Sequence, residues 1–101
     1  QWTRGKGMDG FAPMGPVLTD EVDPADLAIE TRLNGVVVQA GRTSQLMTRI
    51  PALLAFITEF MTLEPGDVVS TGTPAGVGPM KAGDTIEVEI QGIGVLRNHI
   101  L

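Results

Sequence analysis

The chain has 101 residues, room for one small domain and no more. Its 12 acidic and 7 basic side chains leave a net charge of −5, and with 4% aromatics this argues against a nucleic-acid groove or an anionic membrane surface. The lack of cysteine excludes disulfides and thiol chemistry, and no apolar stretch approaches the roughly 18 residues of a spanning helix.

Beginning at Gln1 with no Met and no signal peptide, the chain reads as processed, truncated or part of something longer. From Gln1 to Pro16, four glycines and two prolines predict a shaped loop with at most a short strand. Val17 to Thr19 is a candidate brief strand, and Asp20 to Asp26 a polar turn in which Pro24 fixes φ. Ala28 to Leu33, Asn34-Gly35 and Val36 to Ala40 predict a two-residue hairpin, because Asn-Gly tolerates the positive φ angles of a type I′ turn. Ile29, Thr31 and Leu33 alternate with Glu30 and Arg32, as in an antiparallel pair with one wet face.

Gly41 ends the hairpin, and Thr43 or Ser44 is placed to cap a helical turn through Met47. Pro51 suits the first position of a central helix near 51–62, whose apolar face carries Leu53, Leu54, Ile57, Phe60 and Met61. Glu64-Pro65-Gly66 stops it. A turn at Pro65-Gly66-Asp67 then leads to a strand at Val68 to Thr71 and a glycine-rich loop over 71–79. A similar turn, Ala82-Gly83-Asp84, leads to a strand at Thr85 to Gln91, and Gly92-Ile93-Gly94 returns the chain through Val95 to Ile100. The expected class is α+β, mainly β, with at least five short strands and one central helix. Helices and strands do not alternate as a doubly wound parallel sheet requires.

Four groups are candidates for chemistry. Lys6 sits among glycines beside Asp9, where an ammonium could stabilise an enolate; a solvent-exposed loop lysine is the plainer reading. Thr73 lies in Thr71-Gly72-Thr73-Pro74-Ala75-Gly76-Val77-Gly78, where small residues let backbone N–H groups approach an anion and the hydroxyl adds a donor. The Gly-Lys-Ser/Thr of a phosphate P-loop is absent, and a tight turn is the plainer reading. His99 is the only histidine, with no Ser or Asp placed for a triad. Glu87 and Glu89 share a strand face and could hold Mg²⁺ or Ca²⁺ with a third ligand, but a solvated strand face accounts for them more simply.

Read together, several stretches resemble the fumarylacetoacetate hydrolase family. Lys6 to Pro16 is similar to that family's K-x-x-D-x-F-x-P-x-G-P segment. Phe60 to Asp67 and Thr71 to Gly78 resemble its F-M-T-L-x-P-G-D and T-G-T-P-x-G-V-G signatures. Asn34-Gly35 and Gly92 to Asn98 fall where the family has N-G and G-I-G-x-L-x-N, in the same order.

The resemblance implies a mixed β-sandwich roll, commonly a homodimer, and a cytoplasmic enzyme using Mg²⁺ or Mn²⁺ on oxo or 1,3-dicarbonyl acids. Such enzymes hydrolyse acylpyruvates, or decarboxylate or isomerise oxo-diacids, through a metal-stabilised enolate. It further implies that Lys6 is catalytic beside the metal, and that Thr73 binds the substrate carboxylate with Gly72 allowing close approach. Asp9 and Gly10 shape the Lys6 loop, Gly10 standing where many members have Thr. The family's metal ligands, a Glu-x-Glu pair and an Asp, precede the K-x-x-D segment, so none is expected in this chain and Glu87-Val88-Glu89 is not that pair. Residues 1–101 are then the C-terminal part of a catalytic domain, partnered by the missing N-terminal part and inactive alone. The rival reading is a non-catalytic β-rich interaction module.

Overall fold

Asn34 and Gly35 turn the chain back on itself with φ angles of 51° and 81°, the two left-handed residues of a type I′ turn. They join β1 (Ala28–Leu33) to β2 (Val36–Arg42) in the structure, a computed structural model describing residues 1–101. A second hairpin joins β3 (Thr85–Ile90) to β4 (Gly94–His99), and β3 pairs with β1. The sheet is therefore ordered β2-β1-β3-β4 and is antiparallel throughout.

Asn34 also locks the two hairpins together. Its Nδ2 donates to Asp84 Oδ1 at 2.9 Å, its Oδ1 accepts from the Thr85 amide at 2.9 Å, and its own amide donates to the Thr85 carbonyl at 2.9 Å. The two self-similar turns have one geometry. Asp67 Oδ2 accepts from the Glu64 amide at 2.8 Å, and Asp84 Oδ2 accepts from the Lys81 amide at 2.7 Å. In each, the aspartate amide donates back to the same residue's carbonyl, and Gly66 and Gly83 take φ angles of 99° and 91°.

The alternation within the strands sorts the sheet into two faces. Ile29, Thr31 and Leu33 share one face with Ile86, Val88, Ile90 and Leu96, all half-buried. The opposite face is less wet than its charges suggested. Glu87 is only 14% exposed, accepting from Arg97 at 2.7 Å while lying 3.5 Å from Arg32. Arg32 also donates to Glu30 at 2.7 Å and to Glu89 at 2.9 Å. A ladder of alternating charge thus crosses three strands where a solvated strand face was expected.

Other expectations are corrected. Residues 2–6 form a short helix, α1 (Trp2–Lys6), within the segment read as a loop. Val17 to Thr19 and Val68 to Thr71 form no strand, since neither finds a pairing partner, and the sheet has four strands rather than five. Thr43–Gln45 is a single 3-10 turn, and the Thr43 hydroxyl accepts from the Leu27 amide at 2.8 Å rather than capping it. The central helix, α2 (Ile50–Thr58), begins one residue before Pro51, which lies in its first turn, and ends four residues before 62. Leu53 and Ile57 are half-buried, whereas Phe60 and Met61 lie past its end and are exposed. No residue of the chain is fully buried, and no helix is long and apolar enough to cross a membrane.

At the base of the first hairpin, Asp26 accepts from Arg42 at 2.7 and 3.0 Å. This bond first, and the Ser44 hydroxyl second, bring its carboxyl down from 3.8 to about 2. Asp84 is depressed by the Asn34 amide, and Glu87 by Arg97. A carboxylate depressed in the folded chain contributes stability above its ordinary value and loses it as pH falls through the folded one. The urea midpoint is expected to drop between pH 3.8 and about 2, and Asp26→Asn to flatten that limb; an unchanged slope would contradict this. Asn34→Ala is expected to lower stability by at least about 1 kcal/mol, since Ala tolerates positive φ poorly. Asn34→Gly keeps the turn but loses the two side-chain bonds, so equilibrium unfolding should place it between Asn and Ala.

Candidate active site

The glycine-rich stretch 71–79 forms no regular element and is exposed throughout, so something outside it must set its shape. That anchor is Gln39 of β2. Its Nε2 donates to Thr73 Oγ1 at 2.9 Å and to the Pro74 carbonyl at 3.0 Å. β2 is irregular at this point. Gln39 pairs with Thr31 and Val37 with Arg32, so Val38 is an extra residue, a β-bulge. The loop closes over that bulge at Gly76. A Cβ there would collide with the Val38 carbonyl oxygen and crowd Gln39 Cγ, and its φ of 103° excludes other residues independently. Gly72 also has a positive φ, 98°, with open space around the position a Cβ would take.

Lys6 is the last residue of α1 and is exposed. It lines a shallow recess of about 200 Å³ with Gln1, Trp2 and Gly5. Asp9 and Gly10 occupy the centre of a turn closed by the Phe11 amide donating to the Met8 carbonyl at 3.1 Å. Gly10 has the positive φ, 77°, that a type II turn places on its third residue. A threonine here would be strained, so Gly10 is matched to the shape of this loop. Further on, Gly15 lies against Leu96 and Pro16 against Gly94, both on β4.

The two loops therefore meet the sheet in one register. Gln39, Thr31, Val88 and Leu96 are direct cross-strand partners and form a single row on the apolar face. The Thr73 loop is tied to one end of this row and the Gly15–Pro16 segment to the other, three strand spacings or about 14 Å apart. No hydrogen bond or ion pair joins Lys6 to Thr73, Gly72 or Asp9.

The remaining candidates are occupied otherwise. His99 Nδ1 lies 3.0 Å from the hydroxyl of its strand partner Thr85. Glu87 and Glu89 are engaged by Arg32 and Arg97. The chain contains no group of three His, Cys, Asp or Glu able to hold a metal ion, so its own residues do not fit a divalent cation. A recess of about 310 Å³ lies between Asp23–Ala25 and the start of α2 at Arg49–Pro51. It contains none of the candidate residues. Gln39 was not among the sequence candidates. The signal available was the run Val36-Val37-Val38-Gln39, which breaks strand alternation where the bulge occurs.

Loops of this kind, carried on a four-stranded antiparallel sheet, are shared with known proteins. The model of the fumarylacetoacetate hydrolase C-terminal region matches residues 1–101; the chain belongs to that family. It is 52% identical to an uncharacterized protein of Pyrococcus abyssi, over 99% of this chain and 45% of that protein. It is 41% identical to the human mitochondrial oxaloacetate tautomerase FAHD2A, over 100% of this chain and 35% of the tautomerase. Its fold is that of a 5-carboxymethyl-2-hydroxymuconate delta-isomerase from Mycobacterium smegmatis, with a TM-score of 0.96 and 46% identity over 100% of this chain and 40% of the isomerase. A maleylpyruvate hydrolase from Sphingobium sp. SYK-6, in complex with manganese(II) and pyruvate, gives a TM-score of 0.86 and 38% identity over 92% of this chain and 36% of the hydrolase. The chain thus spans less than half the length of these relatives.

Proposed function

We propose that residues 1–101 are the C-terminal part of an enzyme that forms an enolate from an oxo or 1,3-dicarbonyl acid, with acylpyruvate-like and oxo-diacid compounds as substrates. The observation that carries this reading is the Thr73 hydroxyl, held by Gln39 in an exposed glycine loop. Isomerase, tautomerase and hydrolase relatives support it, because all three reaction types can proceed through an enolate. Pyruvate in the hydrolase complex supports an oxo acid as the bound group.

On this reading the Thr73 O–H donates to the substrate carboxylate, and the positive φ of Gly72 presents it. The Lys6 ammonium sits near the oxygen that becomes negative as the enolate forms, where a fixed positive charge lowers the barrier. Asp9 and Gly10 hold the turn that follows Lys6. A divalent ion, Mg²⁺ or Mn²⁺, belongs to the same reading, supported by the manganese complex of the hydrolase. On this reading its ligands belong to polypeptide upstream of Gln1, in keeping with the lack of any group of three His, Cys, Asp or Glu here that could hold it. That upstream polypeptide is the proposed cover for exposed apolar side chains such as Phe11, Met14, Phe60 and Met61. A homodimer in the cytoplasm completes the proposal.

In the full-length protein, Lys6→Met is expected to lower kcat about 100-fold or more with little change in KM, since its charge acts on developing negative charge. Thr73→Val is expected to raise KM about tenfold with a smaller effect on kcat. Steady-state kinetics on oxaloacetate and on an acylpyruvate test both. Equal losses in kcat and affinity for Lys6→Met, or unchanged affinity for Thr73→Val, would count against these roles.

A further inference from the structure

We infer that Gln39 is a positioning residue that directs the Thr73 proton outward, toward a bound carboxylate; this rests on the carboxylate-binding role proposed for Thr73. The Pro74 carbonyl can only accept a hydrogen bond. It lies 3.0 Å from one end of the Gln39 amide, so that end must be the NH₂ group. The same nitrogen lies 2.9 Å from Thr73 Oγ1. Both of its hydrogens are therefore used, one on each acceptor.

A threonine hydroxyl has one proton and two lone pairs. With a lone pair taken by Gln39, its proton has to point elsewhere, and no acceptor within the chain receives it. Accepting a bond also polarises the O–H and strengthens it as a donor. The bound anion this suits is a carboxylate facing the open side of the loop.

Local backbone geometry supports the same seat. The bulge at Val38 restores Gln39 to register with Thr31, directly below the loop. Gly76 permits a close approach to the Val38 carbonyl that any Cβ would block. Bulge, glycine and amide together fix one hydroxyl on a segment that has no regular structure of its own.

The test uses the full-length protein, with Mn²⁺ present, and titration calorimetry with oxalate as probe. Thr73→Val and Gln39→Leu are each expected to weaken oxalate binding about tenfold. The double variant is expected to bind within about twofold of Thr73→Val alone, because Gln39 acts through that hydroxyl. Gln39→Glu keeps the side-chain shape but replaces the donor with an acceptor, so Thr73 would turn its proton inward. It should lose at least as much affinity as Gln39→Leu, and it serves as the second variant if Gln39→Leu folds poorly.

If Thr73→Val weakens oxalate while both Gln39 variants bind normally, the positioning role is overturned and the carboxylate role of Thr73 stands. Losses that multiply in the double variant overturn it as well. If Thr73→Val itself leaves oxalate affinity unchanged, the carboxylate role fails and takes the positioning role with it.

Discussion

One side-chain amide joins an irregular loop to a regular sheet. Without Gln39, no hydrogen bond ties residues 71–79 to the sheet, and their glycines widen the choice of conformation rather than narrowing it. The two hydrogen bonds from Nε2 convert that freedom into one arrangement. The anchor in turn depends on the bulge at Val38, which sets the register of β2 beyond it. Across the apolar face, the row from Gln39 to Leu96 then places the Gly15–Pro16 segment in line with the Thr73 loop. The proposed chemistry is carried by loops, and the strands supply the coordinate system.

That frame is held largely by directional bonds. Forty backbone hydrogen bonds serve 101 residues, against about 65 to 70 in a typical domain of this length. The shortfall lies in the segments 8–26 and 62–80, which contribute one each. Apolar burial is incomplete, since even the strand interiors are only half-shielded. Exposed ion pairs are individually weak. The ladder from Glu30 through Arg32 and Glu87 to Arg97 is a network, however, and its central carboxylate is largely shielded. Asn34 has a comparable role at the sheet's end, where one residue both turns a hairpin and registers the next.

Local chemistry made much of this fold legible in the sequence. Asn34-Gly35 demanded positive φ angles and has them, and the two Pro/Ala-Gly-Asp turns share one geometry as their likeness implied. Pro51 marked the start of α2. Partners distant in sequence were not legible. Alternation assigned Glu87 to the charged face, but its shielding comes from Arg32, 55 residues away, and Arg97, 10 residues away. Val68 to Thr71 has strand-forming composition and no neighbour to pair with. Gly5 and Gly7 concealed the short helix that carries Lys6. Lys6 and Thr73 could be named from motifs, whereas Gln39 emerged only once β2 and the loop were seen in contact.

The most direct measurement is a crystal structure of the full-length protein with Mn²⁺ and oxalate. The account places Thr73 Oγ1 within about 3.2 Å of an oxalate oxygen, with the Gln39 amide still bonded behind it and the Lys6 ammonium within about 4 Å of the ligand. Oxalate bound elsewhere, or a Thr73 hydroxyl turned back onto Gln39, would contradict it.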